Sequence, residues 1–163
     1  MLQRKQSLWL GLIFFLCMFS VYFNIPFREI EGKLDGKMTE TLHASIGFAK
    51  TEIDIINSEV KVKENIGLKW LVILTGLLAL LNIFLFKKHS LQILICKLVF
   101  ALVVLMAAAM YFYGWSIRLV DYDPKSQIII SVIFPLLYAY ANFRALKGIR
   151  HDVSLIKSYD RIR

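Results

Sequence analysis

The chain is short of the residues that build catalytic and metal centres. Two cysteines, three histidines and three prolines are spread over 163 residues. Cys17 and Cys96 fall in different apolar segments, which leaves no disulfide framework and makes them small packing residues. His43, His89 and His151 lie far apart, without metal-ligand spacing. No phosphate-cradling glycine loop and no nucleophile motif occurs. Charge is missing from whole stretches: Leu8–Phe27, Trp70–Phe86, Leu98–Ile117 and Ser126–Phe143 contain no Asp, Glu, Lys or Arg. With no carboxylate inside them, a proton-coupled or cation-coupled transporter has no obvious relay. The residues therefore point to no enzyme, no cofactor, no metal and no small-molecule substrate.

What the chain has in abundance is apolar surface. Apolar residues make up 58% of it, and the mean hydropathy is +0.60. A helix needs roughly 20 residues to cross the hydrocarbon core of a bilayer, with a tolerance of a few. Each charge-free stretch meets that length when lysines at its edges snorkel. The expected fold is one all-α membrane domain, a four-transmembrane-helix bundle with spans near 8–27, 68–86, 91–117 and 126–145. The first stretch also resembles a signal peptide, with Arg4 and Lys5 as its basic start. No small-x-small cleavage site follows it, because the run leads into Asn24-Ile25-Pro26-Phe27. Leu16 is too bulky for a lipid-attachment motif at Cys17. An uncleaved first helix is expected.

Dividing the charge among the segments gives an orientation. Arg4 and Lys5 head the chain, Lys87 and Lys88 mark the turn between the second and third stretches, and Lys97 follows. From Arg144 onward there are six basic residues against two acidic ones. Residues 28–69 carry seven basic and eight acidic residues, and 118–125 carry two of each. Positive charge is retained on the cytoplasmic side of membrane proteins. Both termini and the 87–90 turn are therefore expected in the cytoplasm, with 28–67 and 118–125 outside. Trp70, Tyr111, Tyr113, Trp115 and Tyr122 would form an outer aromatic belt, and Trp9 would sit at the inner surface.

The 28–67 segment carries two conflicting patterns. Leu34, Met38, Leu42, Ile46, Ala49, Ile53, Ile56 and Val60 recur at helical spacing. Gly32, Gly36 and Gly47 interrupt that spacing, and Ile46/Phe48, Ile53/Ile55 and Val60/Val62 alternate, which favours a small β subdomain. After Arg144 the helical spacing resumes with Leu146, Ile149, Val153, Ile156 and Ile162, predicting an amphipathic tail over 146–163. Within the spans, Asn82, Tyr138 and Asn142 are the main polar groups, suited to interhelical hydrogen bonds. Lys97 lies near the inner edge, where snorkelling accounts for it.

The two chain ends carry a resemblance. The opening Met1-Leu2-Gln3-Arg4-Lys5-Gln6, the central Phe86-Lys87-Lys88-His89-Ser90-Leu91-Gln92, and an ending built on Arg144-Ala145, Ile149-Arg150, Asp152, Leu155-Ile156-Lys157-Ser158 and Asp160-Arg161-Ile162-Arg163 resemble one family. It is known only as domain of unknown function 4293, four-helix inner-membrane proteins of Bacteroidota. Val153 departs from the Glu usual in that family, and the outer segment matches poorly. The resemblance implies an inner-membrane location and no activity.

These observations lead to an expected role. It is a non-enzymatic accessory or scaffold subunit of a larger inner-membrane complex, such as membrane-protein insertion or secretion machinery. Docking to anionic inner-leaflet lipid or other integral membrane proteins is expected through Gln3, Arg4, Arg144, Arg150, Lys157, Asp160, Arg161 and Arg163. The same basic residues are of a kind that meets ribosomal RNA phosphates. The competing expectation is a homo-oligomeric channel or transporter with a polar stripe through Asn82, Tyr138 and Asn142.

Overall fold

The first charge-free stretch stops being helical before its end. In the computed structural model, which describes residues 3–33, 41–55, 61–86, 88–116 and 125–162, helix α1 runs Gln3–Tyr22. Asn24 adopts φ 44°, the left-handed conformation that Asn tolerates better than most residues. The Ile25 N–H then bonds back to Ser20 O at 3.1 Å, closing the helix, and strand β1 begins at Pro26. It covers Pro26–Lys33 and is followed by β2 (Thr41–Gly47), β3 (Lys50–Ile55) and β4 (Lys61–Glu64). Helices α2 (Ile66–Phe84) and α3 (His89–Ser116) come next. Strand β5 (Lys125–Ile128) and a 3-10 turn (Ile130–Ile133) then lead into α4 (Phe134–Ile162).

The strands form one antiparallel sheet in the order β4-β3-β2-β1-β5. Its register sets two faces, because residues directly opposite share a side. Ile30, Ala44 and Ile53 align on one face, and Arg28, Ile46 and Thr51 lie beside them. This face meets the helices, with Phe27, Ile30, Ala44, Ile46 and Phe48 buried in a core shared with the bundle. The opposite face carries Glu29, His43, Ser45, Glu52 and Asp54. β5 pairs with β1, Arg28 opposite Ile128, so the entry to α4 is stitched to the exit of α1.

The all-α, four-span expectation is corrected on both counts. The chain is mixed, with strands where glycine-broken alternation favours them and at the ends of two stretches expected to be helical. Among the described residues, only Ile66–Phe84 and His89–Gly114 are long and apolar enough to cross a membrane. Freedom from charge did not mean unbroken helix. Asn24 and Pro26 divert the end of the first stretch into the sheet, leaving a shorter apolar helix, Gln6–Tyr22. The fourth stretch gives its first part to β5 and the 3-10 turn, so only Phe134–Phe143 of it is α-helical before Arg144. Two span-length helices are a hint of membrane association, and four spans are not supported.

Each helix packs against two neighbours: α1 with α2 and α4, and α3 with α2 and α4. The buried stripe of α1 is Gln6, Leu10, Ile13, Cys17 and Ser20, spaced three or four residues apart as a helix face requires. Gly76 lets α1 approach α2 closely, since a Cβ there would stand 3.0 Å from Cys17 Cβ. The bundle holds several polar side chains inside its apolar core and leaves large apolar ones outside. Ser20, Thr75, Asn82 and Tyr138 are 0% exposed, whereas Leu8, Phe84 and Tyr111 are each 70% exposed or more.

Candidate functional site: a clasp between the chain ends

Two groups of side chains do more than fill space, one inside the bundle and one at the end remote from the sheet. The inner group centres on Cys96. Asn82 Nδ2 donates to Cys96 Sγ at 3.1 Å, and Gln92 Nε2 donates to Asn82 O at 3.1 Å, tying α2 to α3. Asn142 Nδ2 donates to Cys96 O at 2.8 Å, tying α4 to the same turn of α3. Tyr138, one turn earlier on α4, directs its hydroxyl to Ser20 Oγ at 3.3 Å and thus to α1. Asn82, Tyr138 and Asn142 therefore each bond between helices. Above them, ring contacts Phe27–Phe48, Phe48–Phe134 and Phe134–Tyr138 run from the sheet into α4 at centroid separations of 5.7, 6.1 and 6.1 Å.

The second group joins the two chain ends. Tyr140, Arg144, Gly148 and Asp152 recur every four residues, a spacing that stacks them along one side of α4. Gln6 and Trp9 of α1 meet that row. Gln6 Nε2 donates to Asp152 Oδ2 at 2.5 Å. The Trp9 ring stands edge-on to Tyr140 at 5.8 Å, and the Arg144 guanidinium lies over it at 5.6 Å from the centroid. Gly148 makes the approach possible, because a Cβ there would fall 2.7 Å from Gln6 Cγ. Beyond Asp152 the helix continues with exposed Ser154, Leu155 and Ile156. A cleft of ≈ 480 Å³ separates Val153 and Ile156 from Lys88, His89, Ser90, Leu91 and Ile93.

Of the residues expected to dock a partner, Gln3 and Arg4 lie on the first turn of α1. Arg144, exposed, forms part of the clasp, and Arg150 is exposed two turns further on. Lys157, Asp160 and Arg161 occupy the last turns of α4, and Arg163 lies outside the described residues. Trp115 is at the end of α3, and Tyr122 also lies outside the described residues. Trp70 and Tyr111 are exposed, and Lys97 is exposed on α3.

Sequence reasoning missed the partner of Gln6, because sites 146 residues apart meet only after folding. It also missed two asparagines that grip one turn. Asn24 Oδ1 accepts from Ala49 N at 3.1 Å and Lys50 N at 2.8 Å. Asn65 Nδ2 donates to Gly47 O at 2.9 Å, and its Oδ1 accepts from Thr51 Oγ1 at 3.0 Å. Their positions just after and just before apolar runs were the available signal. Among the described residues, no three His, Cys, Asp or Glu side chains gather where they could hold a metal ion.

The clasp unites Gln6 of the opening motif with Arg144 and Asp152 of the ending. A family model described as Domain of unknown function (DUF4293) matches residues 2–162. The chain belongs to the DUF4293 family. No curated protein matches it. The match runs through both halves of the clasp and the intervening sheet, so the DUF4293 family relation covers nearly the whole chain.

Proposed function

We propose that this protein is a non-enzymatic accessory or scaffold subunit of a larger complex in a bacterial inner membrane. The observation that carries the reading is the projecting end of α4. The clasp to α1 holds the helix as far as Asp152, and the following turns offer exposed Leu155 and Ile156 beside basic Arg150. An apolar strip flanked by positive charge suits a protein or anionic-lipid surface better than it suits water. The large apolar side chains exposed on the bundle, Leu8, Phe84 and Tyr111 among them, support contact with lipid, with the α2–α3 hairpin crossing. Positive charge on the 87–90 turn supports a cytoplasmic location for the tip of that hairpin. The sheet then faces outward.

Gentle-detergent purification followed by mass spectrometry tests the reading. A stoichiometric integral-membrane partner is expected, and recovery of nothing but a monodisperse homo-oligomer overturns it. Alanine at Arg150, Lys157 and Arg161 separates the two kinds of contact. Loss of one partner marks a docking site, whereas uniform loss of affinity for anionic vesicles marks lipid contact alone.

A further inference from the structure

Along α4, the apolar face that packs into the bundle emerges from it by degrees. Ile149 is fully buried, Val153 is half-buried and Ile156 is 48% exposed. The three share a face because they stand three or four residues apart. α3 begins only at His89, so Val153 and Ile156 meet its first turns across a gap. The gap is the cleft of ≈ 480 Å³, a size within the roughly 300–1,000 Å³ common for ligand pockets. Its walls are apolar, Val153 and Ile156 on α4 and Leu91 and Ile93 on α3.

One rim of the cleft is polar, formed by Lys88, His89 and Ser90. His89 Nδ1 is engaged with Gln92 Oε1 at 3.1 Å, whereas Lys88 and Ser90 are exposed. No residue lining the cleft is acidic, and among the described residues Lys88 makes no ion pair. Apolar walls under a cationic rim match an amphiphile with one anionic head and a long apolar tail. Basic pockets between membrane helices on the cytoplasmic side take anionic lipid head groups, and Lys88 stands on the hairpin tip assigned to that side. A protein helix is about 10–12 Å across, so a single turn of it would occupy about as much space as the whole cleft. One extended acyl chain is narrower and can follow the Val153–Ile156 face.

We propose that this cleft seats an acyl chain of an anionic glycerophospholipid whose phosphate is held by Lys88 and the Ser90 hydroxyl. The site rests on the membrane reading above and deepens it. Ile156 is assigned to lipid, and exposed Leu155, which does not line the cleft, is left for a protein partner.

The test is native mass spectrometry of the delipidated full-length protein in neutral detergent, titrated with phosphatidylglycerol, uncharged diacylglycerol or glycerol 1-phosphate. One phosphatidylglycerol per chain is expected, bound about tenfold more tightly than diacylglycerol, as a charge-assisted hydrogen bond implies. Glycerol 1-phosphate, a head without a chain, should not bind measurably. Lys88→Gln should erase the preference while leaving diacylglycerol binding unchanged, and Lys88→Arg should keep it. Val153→Trp, which fills the cleft without altering charge, should abolish binding of both lipids. Ile156→Ser, a change at an exposed position that folding tolerates, should weaken both alike. Equal phosphatidylglycerol binding by the unmodified protein, Lys88→Gln and Ile156→Ser overturns the site. Glycerol 1-phosphate binding as tight as that of phosphatidylglycerol also overturns it, assigning the rim to a free phosphate. So does a dimer that Val153→Trp splits without changing lipid binding, which assigns the cleft to a second copy of the chain. Carbonate extraction keeps the two readings apart. Release from the membrane overturns the membrane reading, whereas retention without a phosphatidylglycerol preference overturns the lipid site alone.

Discussion

At Asn24 one side chain performs two tasks that few residue types combine. It accepts a positive φ, which costs most residues roughly 1–2 kcal/mol, and it accepts two backbone hydrogen bonds from the Ala49–Lys50 turn. Asn24→Gly keeps the first and loses the second, whereas Asn24→Ala loses both. Titration of the protein with SDS from neutral-detergent micelles should rank Asn24→Ala below Asn24→Gly, and both below the parent. A loss of about 2 kcal/mol is expected for Asn24→Ala. The Gln6–Asp152 bond is open to a double-mutant cycle in the same assay. Gln6→Ala and Asp152→Ala should each destabilise, with a coupling of about 1–2 kcal/mol between them. Strict additivity would show that the two chain ends are held by the Trp9 contacts alone. The individual residues were visible in the sequence, but their partners were not. Asn24 and Lys50, or Gln6 and Asp152, are brought together by elements that share no local pattern.

Between elements, the controlling features are a glycine and a chain of rings. α1 and α4 touch at Gly148, where any larger residue must displace Gln6. Gly148→Val should therefore separate the two helices, removing the Trp9–Arg144 contact along with the Gln6–Asp152 bond. A blue-shifted or red-shifted Trp9 emission, in a variant whose other tryptophans are replaced by Phe, reports that separation. Phe48 is fully buried and contacts both Phe27 and Phe134, joining sheet to bundle. Phe48→Ala should cost about 3–5 kcal/mol and loosen the sheet first. Limited proteolysis should then cut within 28–64 faster than in the parent, while the α2–α3 hairpin stays protected. Strands in this region were legible from alternation broken by glycine. β5 was not, because all of it but Lys125 lies at the start of an uncharged run that reads as helix, and its strand state depends on the edge of β1.

Over the whole molecule the charge is distributed by end. The sheet region is close to neutral, with seven basic residues against eight acidic over 28–69, and the opposite end gathers Arg144, Arg150 and the basic last turns of α4. With a net charge of +8, that asymmetry predicts an oriented insertion rather than a random one. A cysteine substituted at exposed Lys50, in a variant lacking Cys17 and Cys96, should react with an impermeant maleimide from the outer side only. Labelling from the cytoplasmic side would reverse the proposed orientation.

By itself, the amino-acid sequence determined where apolar surface and charge lie, because both are sums over residues that need no knowledge of neighbours. The α2–α3 hairpin, the basic amphipathic end and the motifs at both termini follow from such sums. Only the tertiary structure decided how many apolar runs stay helical, since a strand edge supplied by β1 and a left-handed turn at Asn24 compete with helix formation. It also decided that the two chain ends form one clasp and that Arg28 reaches Gly114. Those contacts depend on the distance between remote backbone segments, and no local periodicity encodes that distance.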